Sequence, residues 1–229
     1  MVKGTARLMR NLKPSERLVD KAYSALRQAV LSGELKPGDA LSVPELSRQL
    51  GVSRSPVREA VLQLVADGLA QEEARKGAMV AQFGFKDALY IIEVREALEI
   101  AAIRLGAERA TAGDFAALRQ VLSEQTKSIE AGSFEGYETT DLRFHKLIGS
   151  LSHNPVLERS VGVLKDQFHL ALEPAARKLA QLERGLHEHT AIVEALETRD
   201  SNQAARLMAA HFKRIRNSLE EWIVRQASP

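Results

Sequence analysis

The sequence predicts a mainly α chain in two parts. A short N-terminal part holds three helices and a β-hairpin, and a longer C-terminal part is an all-helical antiparallel bundle of six helices. Apolar residues recur at helical spacing over most of the length, broken at intervals by Gly, Pro or Asn. Only residues 69–82 hold two short extended stretches around a turn. The composition agrees: 229 residues with 5% aromatics, 14 Gly and 7 Pro are poor material for an all-β sandwich.

Hydrophobic residues at 45% and charged residues at 27% supply enough apolar surface for two small cores. Cysteine is absent, which excludes disulfides, thiolate metal sites and cysteine nucleophiles. No apolar run approaches the roughly 18 residues a spanning helix needs. The opening Met1–Arg10 lacks the apolar stretch of a signal peptide. A cytoplasmic protein without a membrane partner is expected. Charge is uneven: residues 1–82 carry 13 Lys and Arg against 9 Asp and Glu, the remainder 19 against 21. Lys3, Arg7, Arg10, Lys13 and Arg17 concentrate the excess in a basic arm over residues 1–19. Such an arm suits contact with a polyanion; a solvated leader is the alternative.

The first helix is read from Tyr23, where Tyr23, Leu26 and Val30 share a face and Gly33 supplies a stop. Pro37-Gly38 is turn chemistry. A second helix runs over 43–50 and ends at Gly51. A third starts at Ser55-Pro56, an N-cap candidate followed by Pro, with Val57, Val61, Leu64 and Val65 as its apolar stripe. Helix, tight turn, helix is a helix-turn-helix layout. Ser53, Arg54, Ser55 and Arg58 cluster at the front of its second helix, off the apolar stripe. Hydroxyls and Arg there suit phosphates and guanine edges. A hairpin of 69–73 and 78–82 follows, with Arg75 and Lys76 at its tip, and reads as a wing. A plain three-helix packing module with incidental surface Arg is the alternative.

Three blocks carry a resemblance: Leu31-Ser-Gly-Glu-Leu-Lys-Pro-Gly-Asp-Ala-Leu, Leu50-Gly-Val-Ser-Arg-Ser-Pro-Val-Arg-Glu-Ala and Asp67-Gly-Leu. In order and spacing they resemble the winged helix-turn-helix DNA-binding domain of the GntR family of bacterial transcription regulators. The resemblance implies that Ser53, Arg54, Ser55 and Arg58 meet a double-stranded DNA operator. It also implies that wing residues Lys76 and Gly77 approach the minor groove. Some relatives carry a basic residue early in the second helix where this chain has Pro44-Glu45; Arg48 is the substitute.

After a linker at 83–86, helical segments are read at 86–110, 113–131, 133–151, 154–172, 176–198 and 200–226. Their short connections argue an antiparallel bundle over residues 87–226. On the third, Asp141 and His145 lie one turn apart on the stripe of Tyr137, Phe144, Ile148 and Leu151. His189 lies in line with Leu182, Leu186 and Val193 on the fifth, and His211 among Met208, Phe212 and Ile215 on the sixth. Any one of these histidines reads singly as a satisfied core residue. Together, one carboxylate and three imidazoles form an O/N donor set fit for one divalent transition metal per chain, with zinc the default and nickel or manganese open. His187 is read as solvent-facing or beside the site, and His153 as a turn residue. His169 flanks a stripe, able to line a cavity but read as surface. Arg95 and Glu99, one turn apart on the inner face of the first of these helices, read as an intrahelical salt bridge, a weak one if exposed.

The motifs Asp141-Leu-Arg-Phe-His145, His189-Thr-Ala-Ile-Val-Glu-Ala-Leu and Ala204-Ala-Arg-Leu-Met-Ala-Ala-His211 resemble the FCD effector-binding domain that follows GntR-type DNA-binding domains. Six helices resemble its shorter, VanR-like branch. The resemblance implies that Asp141, His145, His189 and His211 hold the metal. It further implies that Arg95, Glu99 and Asn154, the last in the recurring Asn-Pro turn, face an effector, a small carboxylate-bearing metabolite. The reading is a homodimeric, ligand-responsive regulator acting as a repressor on a palindromic operator. A metal sensor is one alternative. A helical metalloenzyme is the other, disfavoured because no separate general base stands at a convincing position and a winged helix would be idle.

Overall fold

The computed structural model describes residues 16–74, 77–172 and 179–227. The chain divides between Ala81 and Gln82 into two compact units. The first contains helices α1 (Glu16–Leu31), α2 (Val43–Leu50) and α3 (Arg54–Ala66) and strands β1 (Ala70–Glu73) and β2 (Gly77–Val80). Helix α1 starts earlier than expected, because Val19 and Ala22 extend the buried stripe of Leu26 and Val30 by two turns. Residues 16–19 are therefore helix and not arm; the arm's remaining cationic positions lie outside the described residues.

The α2–α3 turn pivots on Gly51, whose φ of 65° is left-handed and favours a residue without Cβ. Helix α3 also begins earlier than read. Its N-cap is Ser53, so Pro56 sits third in the first turn, where the amides have no intrahelical acceptor to lose. Val57, Val61 and Leu64 of α3 meet Leu26 and Val30 in the core. Strands β1 and β2 pair antiparallel, Ala70 opposite Val80 and Glu73 opposite Gly77. Ala40 bridges Met79 on the far side of β2, so the segment after the Pro37-Gly38 turn adds an edge to the wing sheet. Tyr23 Oη donates to Asp67 Oδ2 at 2.6 Å, tying α1 to the end of α3.

The second unit contains α4 (Phe85–Arg109), α5 (Ala112–Glu130), α6 (Phe134–Ser150), α7 (Pro155–Ala171), α8 (Leu179–Glu197) and α9 (Ser201–Ala227). Helix α4 is central and packs against α6, α7, α8 and α9. Being covered on several sides, it buries Arg95 and Glu99 as well as Ile92 and Ile103. Phe144, Ile148, Ile192, Leu196, Met208 and Phe212 complete the core around it. No described helix is long and apolar enough to cross a membrane.

Candidate metal centre and nucleic-acid interface

In the first unit the front of α3 is open. Ser53, Arg54, Ser55 and Arg58 are all exposed, and none of their side chains makes a hydrogen bond among the described residues. The Ser53 hydroxyl does not cap its own helix. That leaves hydroxyls, first-turn amides and two guanidinium groups on one surface, a donor set suited to phosphates and base edges. Arg48 is also exposed but is paired to Glu45 one turn back on α2. The acidic residue that replaces a cation near the start of α2 thus occupies the substitute as well. Gly77 is exposed at the wing with φ 83°. Lys76 lies outside the described residues.

In the second unit α6, α8 and α9 bring His145, His189 and His211 together, a ring nitrogen of each within 4.8 Å of the others. All three are buried. Asp141 Oδ1 stands 3.8 Å from His145 Nε2 and 3.7 Å from His189 Nε2. Each ring is held from behind through Nδ1. His145 Nδ1 meets Glu99 Oε2 at 2.5 Å, His189 Nδ1 meets Gln125 Oε1 at 3.2 Å, and His211 Nδ1 meets Glu188 Oε2 at 2.8 Å. With these oxygens accepting from Nδ1–H, the Nε2 atoms of the three rings turn toward one another.

The protonation equilibria fit that state. Burial pushes His189 down to about 3 and, with the nearby Arg95 and Lys165 charges, holds His145 well below its ordinary value. Burial would raise Glu188, but hydrogen bonds from His211 and Arg214 outweigh it and bring the carboxyl down to about 2. Burial also opposes ionisation of Asp141, yet the Lys165 charge and the histidines keep it below the usual carboxylate range. The Nε2 atoms of His189 and His211 are buried with no hydrogen-bond partner. Buried acceptors left unsatisfied are costly. Two such atoms converging beside a third imidazole and an ionised carboxylate fit a divalent cation.

The structure brings the four proposed metal ligands together and separates the proposed effector residues from the cavity. Arg95 and Glu99 form the intrahelical ion pair, fully buried on the inner face of α4, with Arg95 Nη2 2.7 Å and Nε 3.0 Å from Glu99 Oε1. The Arg95 guanidinium lies 5.2 and 5.1 Å from the Phe168 and Phe212 ring centres. Burial pushes the Glu99 carboxyl upward against the pull of Arg95. Asn154 caps α7 instead: its Oδ1 accepts from the amides of Val156 and Leu157, which commits it to the helix start.

A cavity of about 140 Å³ opens beside the histidines, and Asp141, His145, His211, Lys165, Tyr137 and Arg214 are in its wall. His169 lines it too, and so corrects the surface reading: α7 turns that edge of its stripe inward. His187 is exposed as expected, and His153 sits in its turn, 3.1 Å from Asp114. Sequence reasoning missed Lys165, which pairs with Asp141, and also Gln125 and Glu188. Gln125 and Lys165 continue the buried stripes of Leu118, Val121 and Leu122 and of Val161 and Phe168, so polar residues on apolar faces were the available signal. Glu188 had none, since it reaches His211 only across a helix interface.

Comparison with known proteins gives matches to both units. Residues 18–80 match the family described as bacterial regulatory proteins, gntR family, and residues 90–214 match the FCD domain. The uncharacterized HTH-type transcriptional regulator YdhC of Bacillus subtilis is 30% identical over 205 residues, covering 87% of this chain and 91% of its own length. The regulator LutR of the same organism is 30% identical over 211 residues, covering 83% and 95%. The HTH-type transcriptional repressor RspR of Escherichia coli is 27% identical over 210 residues, 92% of each chain. Among solved structures, E. coli McbR/YncC superposes with a TM-score of 0.75 at 25% identity, over 90% of this chain and 98% of that one.

Proposed function

The chain belongs to the GntR family of bacterial regulatory proteins and carries an FCD domain, and on that premise we propose that it is a metal-containing repressor released by a small organic acid. It is a DNA-binding transcription regulator; the pocket, the metal and the operator geometry are the proposal. As a homodimer it places one α3 in the major groove of each half of a palindromic operator. Arg54 and Arg58 read base edges and phosphates, Ser53 and Ser55 hold phosphates, and Lys76 and Gly77 follow the minor groove. Arg48 contributes only by leaving Glu45.

Asp141, His145, His189 and His211 hold one divalent ion per chain, zinc by default for this donor set, with nickel and manganese as competitors. When bound, the ion supplies open positions that accept a carboxylate. Glu99, Gln125 and Glu188 keep the three rings aimed, and Arg95 holds Glu99 in place. Lys165 balances Asp141. A ligand that enters the cavity regulates DNA binding only if it binds two arrangements of the chain unequally.

The supporting observation is the convergence of three buried rings beside a cavity, two of their Nε2 atoms without a partner and each ring fixed from behind through Nδ1. Native mass spectrometry of the protein, purified without added metal or chelator, tests it. A dimer with one metal per chain is expected, with operator binding weakened by the acid that co-purifies. A metal-free species that also refuses zinc and nickel would reduce the four residues to a buried polar cluster.

A further inference from the structure

The cavity has a second polar wall that metal binding does not use. Tyr137 lies one turn before Asp141 on α6, is 5% exposed, and lines the cavity. Its hydroxyl makes no hydrogen bond among the described residues. A phenol keeps its proton at neutral pH and can donate. Arg214 of α9 spends Nε on both Glu188 oxygens, at 2.7 and 2.8 Å, and its Nη1 and Nη2 donate to nothing among the described residues. Gly185 of α8 lies between the two groups. A Cβ there would stand 2.4 Å from Tyr137 Oη and 4.0 Å from Arg214 Nη2. The missing side chain is what leaves room for the phenol and keeps both donors open to the cavity. Lys165, the other cation of the wall, is already committed to Asp141.

We propose that Tyr137 Oη and the outer nitrogens of Arg214 form a second anion anchor, which makes the effector a small dicarboxylate. One carboxylate sits at the Asp141–histidine end and the other between Tyr137 and Arg214, where a guanidinium and a phenolic O–H can both donate to it. The cavity of about 140 Å³ admits a ligand of a few carbon atoms. The proposal rests on the metal-and-acid reading of the pocket.

Calorimetric titration of the zinc-loaded full chain with malate and with α-hydroxybutyrate tests it. The two acids share the four-carbon hydroxy-acid skeleton and differ by a terminal carboxylate against a methyl. Malate is expected to bind about tenfold tighter or more. Tyr137→Phe should remove most of that advantage while leaving α-hydroxybutyrate affinity and zinc stoichiometry unchanged. Gly185→Ala should weaken malate as well, by filling the space between the donors. Equal affinities for the two acids, or a Tyr137→Phe loss shared equally by both, would overturn the second anchor and leave the metal-and-acid pocket standing. Failure of both acids to bind the zinc-loaded chain would overturn both.

Discussion

At Gln125 a single amide oxygen sets the direction of an imidazole. Replacing it with leucine keeps the volume and removes the acceptor behind His189 Nδ1, so the ring is free to present either nitrogen. Loss of such a supporting contact typically costs about 10–100-fold in metal affinity. Gln125→Leu should show that loss in competition with a chelator, with unchanged helical circular dichroism; undiminished affinity would mean the ring needs no orienting group. Arg58 poses the opposite case, an exposed side chain with nothing to hold it among the described residues. Arg58→Ala, and separately Arg54→Ala, should each cost about 1–3 kcal/mol of operator affinity. Fluorescence anisotropy on the operator measures it, and unchanged binding removes that residue from the reading surface.

Helix α5 shows how one element's end is held. Thr111 N donates to Asp114 Oδ2 at 2.7 Å and the Thr111 hydroxyl accepts from Asp114 N, a reciprocal cap. The Thr111 amide, opposed by partial burial, holds the Asp114 carboxyl below its ordinary value. A carboxyl so lowered adds stability above its unfolded pKa, and that stability is lost as pH falls through the folded value. Asp114→Ala should therefore cost about 1 kcal/mol at neutral pH in urea denaturation. The gap from the parent should close in strong acid, and a gap that stays constant with pH would detach the cap from the charge. Helices of this kind were legible in the sequence because Gly, Pro and Asn punctuate the stripes, and the six read in the second unit appear within one residue of their expected bounds, save the expected start at residue 176, which lies outside the described residues. The starts of α1 and α3 were not. Val19 stands beside an exposed Leu18 among Glu16, Arg17, Asp20 and Lys21, so no stripe shows there, and Pro56 pulled the reading two residues too far along. The metal ligands were legible for the same periodic reason. Their orienting partners were not, because Gln125 and Glu188 acquire meaning only when another helix packs beside them.

At the scale of the whole chain, two units with separate cores divide the labour. DNA affinity should then respond to charge in the first unit independently of the second. Deleting residues 1–13 removes Lys3, Arg7, Arg10 and Lys13. The truncated protein should bind its operator more weakly and with a shallower dependence on salt, since fewer counterions are released. Parallel salt slopes for the two proteins would mean the arm touches no phosphate. The central position of α4 carries a mechanical consequence. This helix begins at Phe85, four residues past the division between the units, and its Glu99 is hydrogen-bonded to a ring of the metal centre. Glu99 is 14 residues from Phe85 along the helix, or about 21 Å at the helical rise. With the Arg109 end of the helix as fulcrum, about 15 Å beyond Glu99 and about 36 Å from Phe85, a displacement at Glu99 is enlarged a little over twofold at Phe85. A shift in one imidazole too small to disturb the core is thereby delivered, enlarged, at the end of the helix nearest in sequence to the DNA-binding unit.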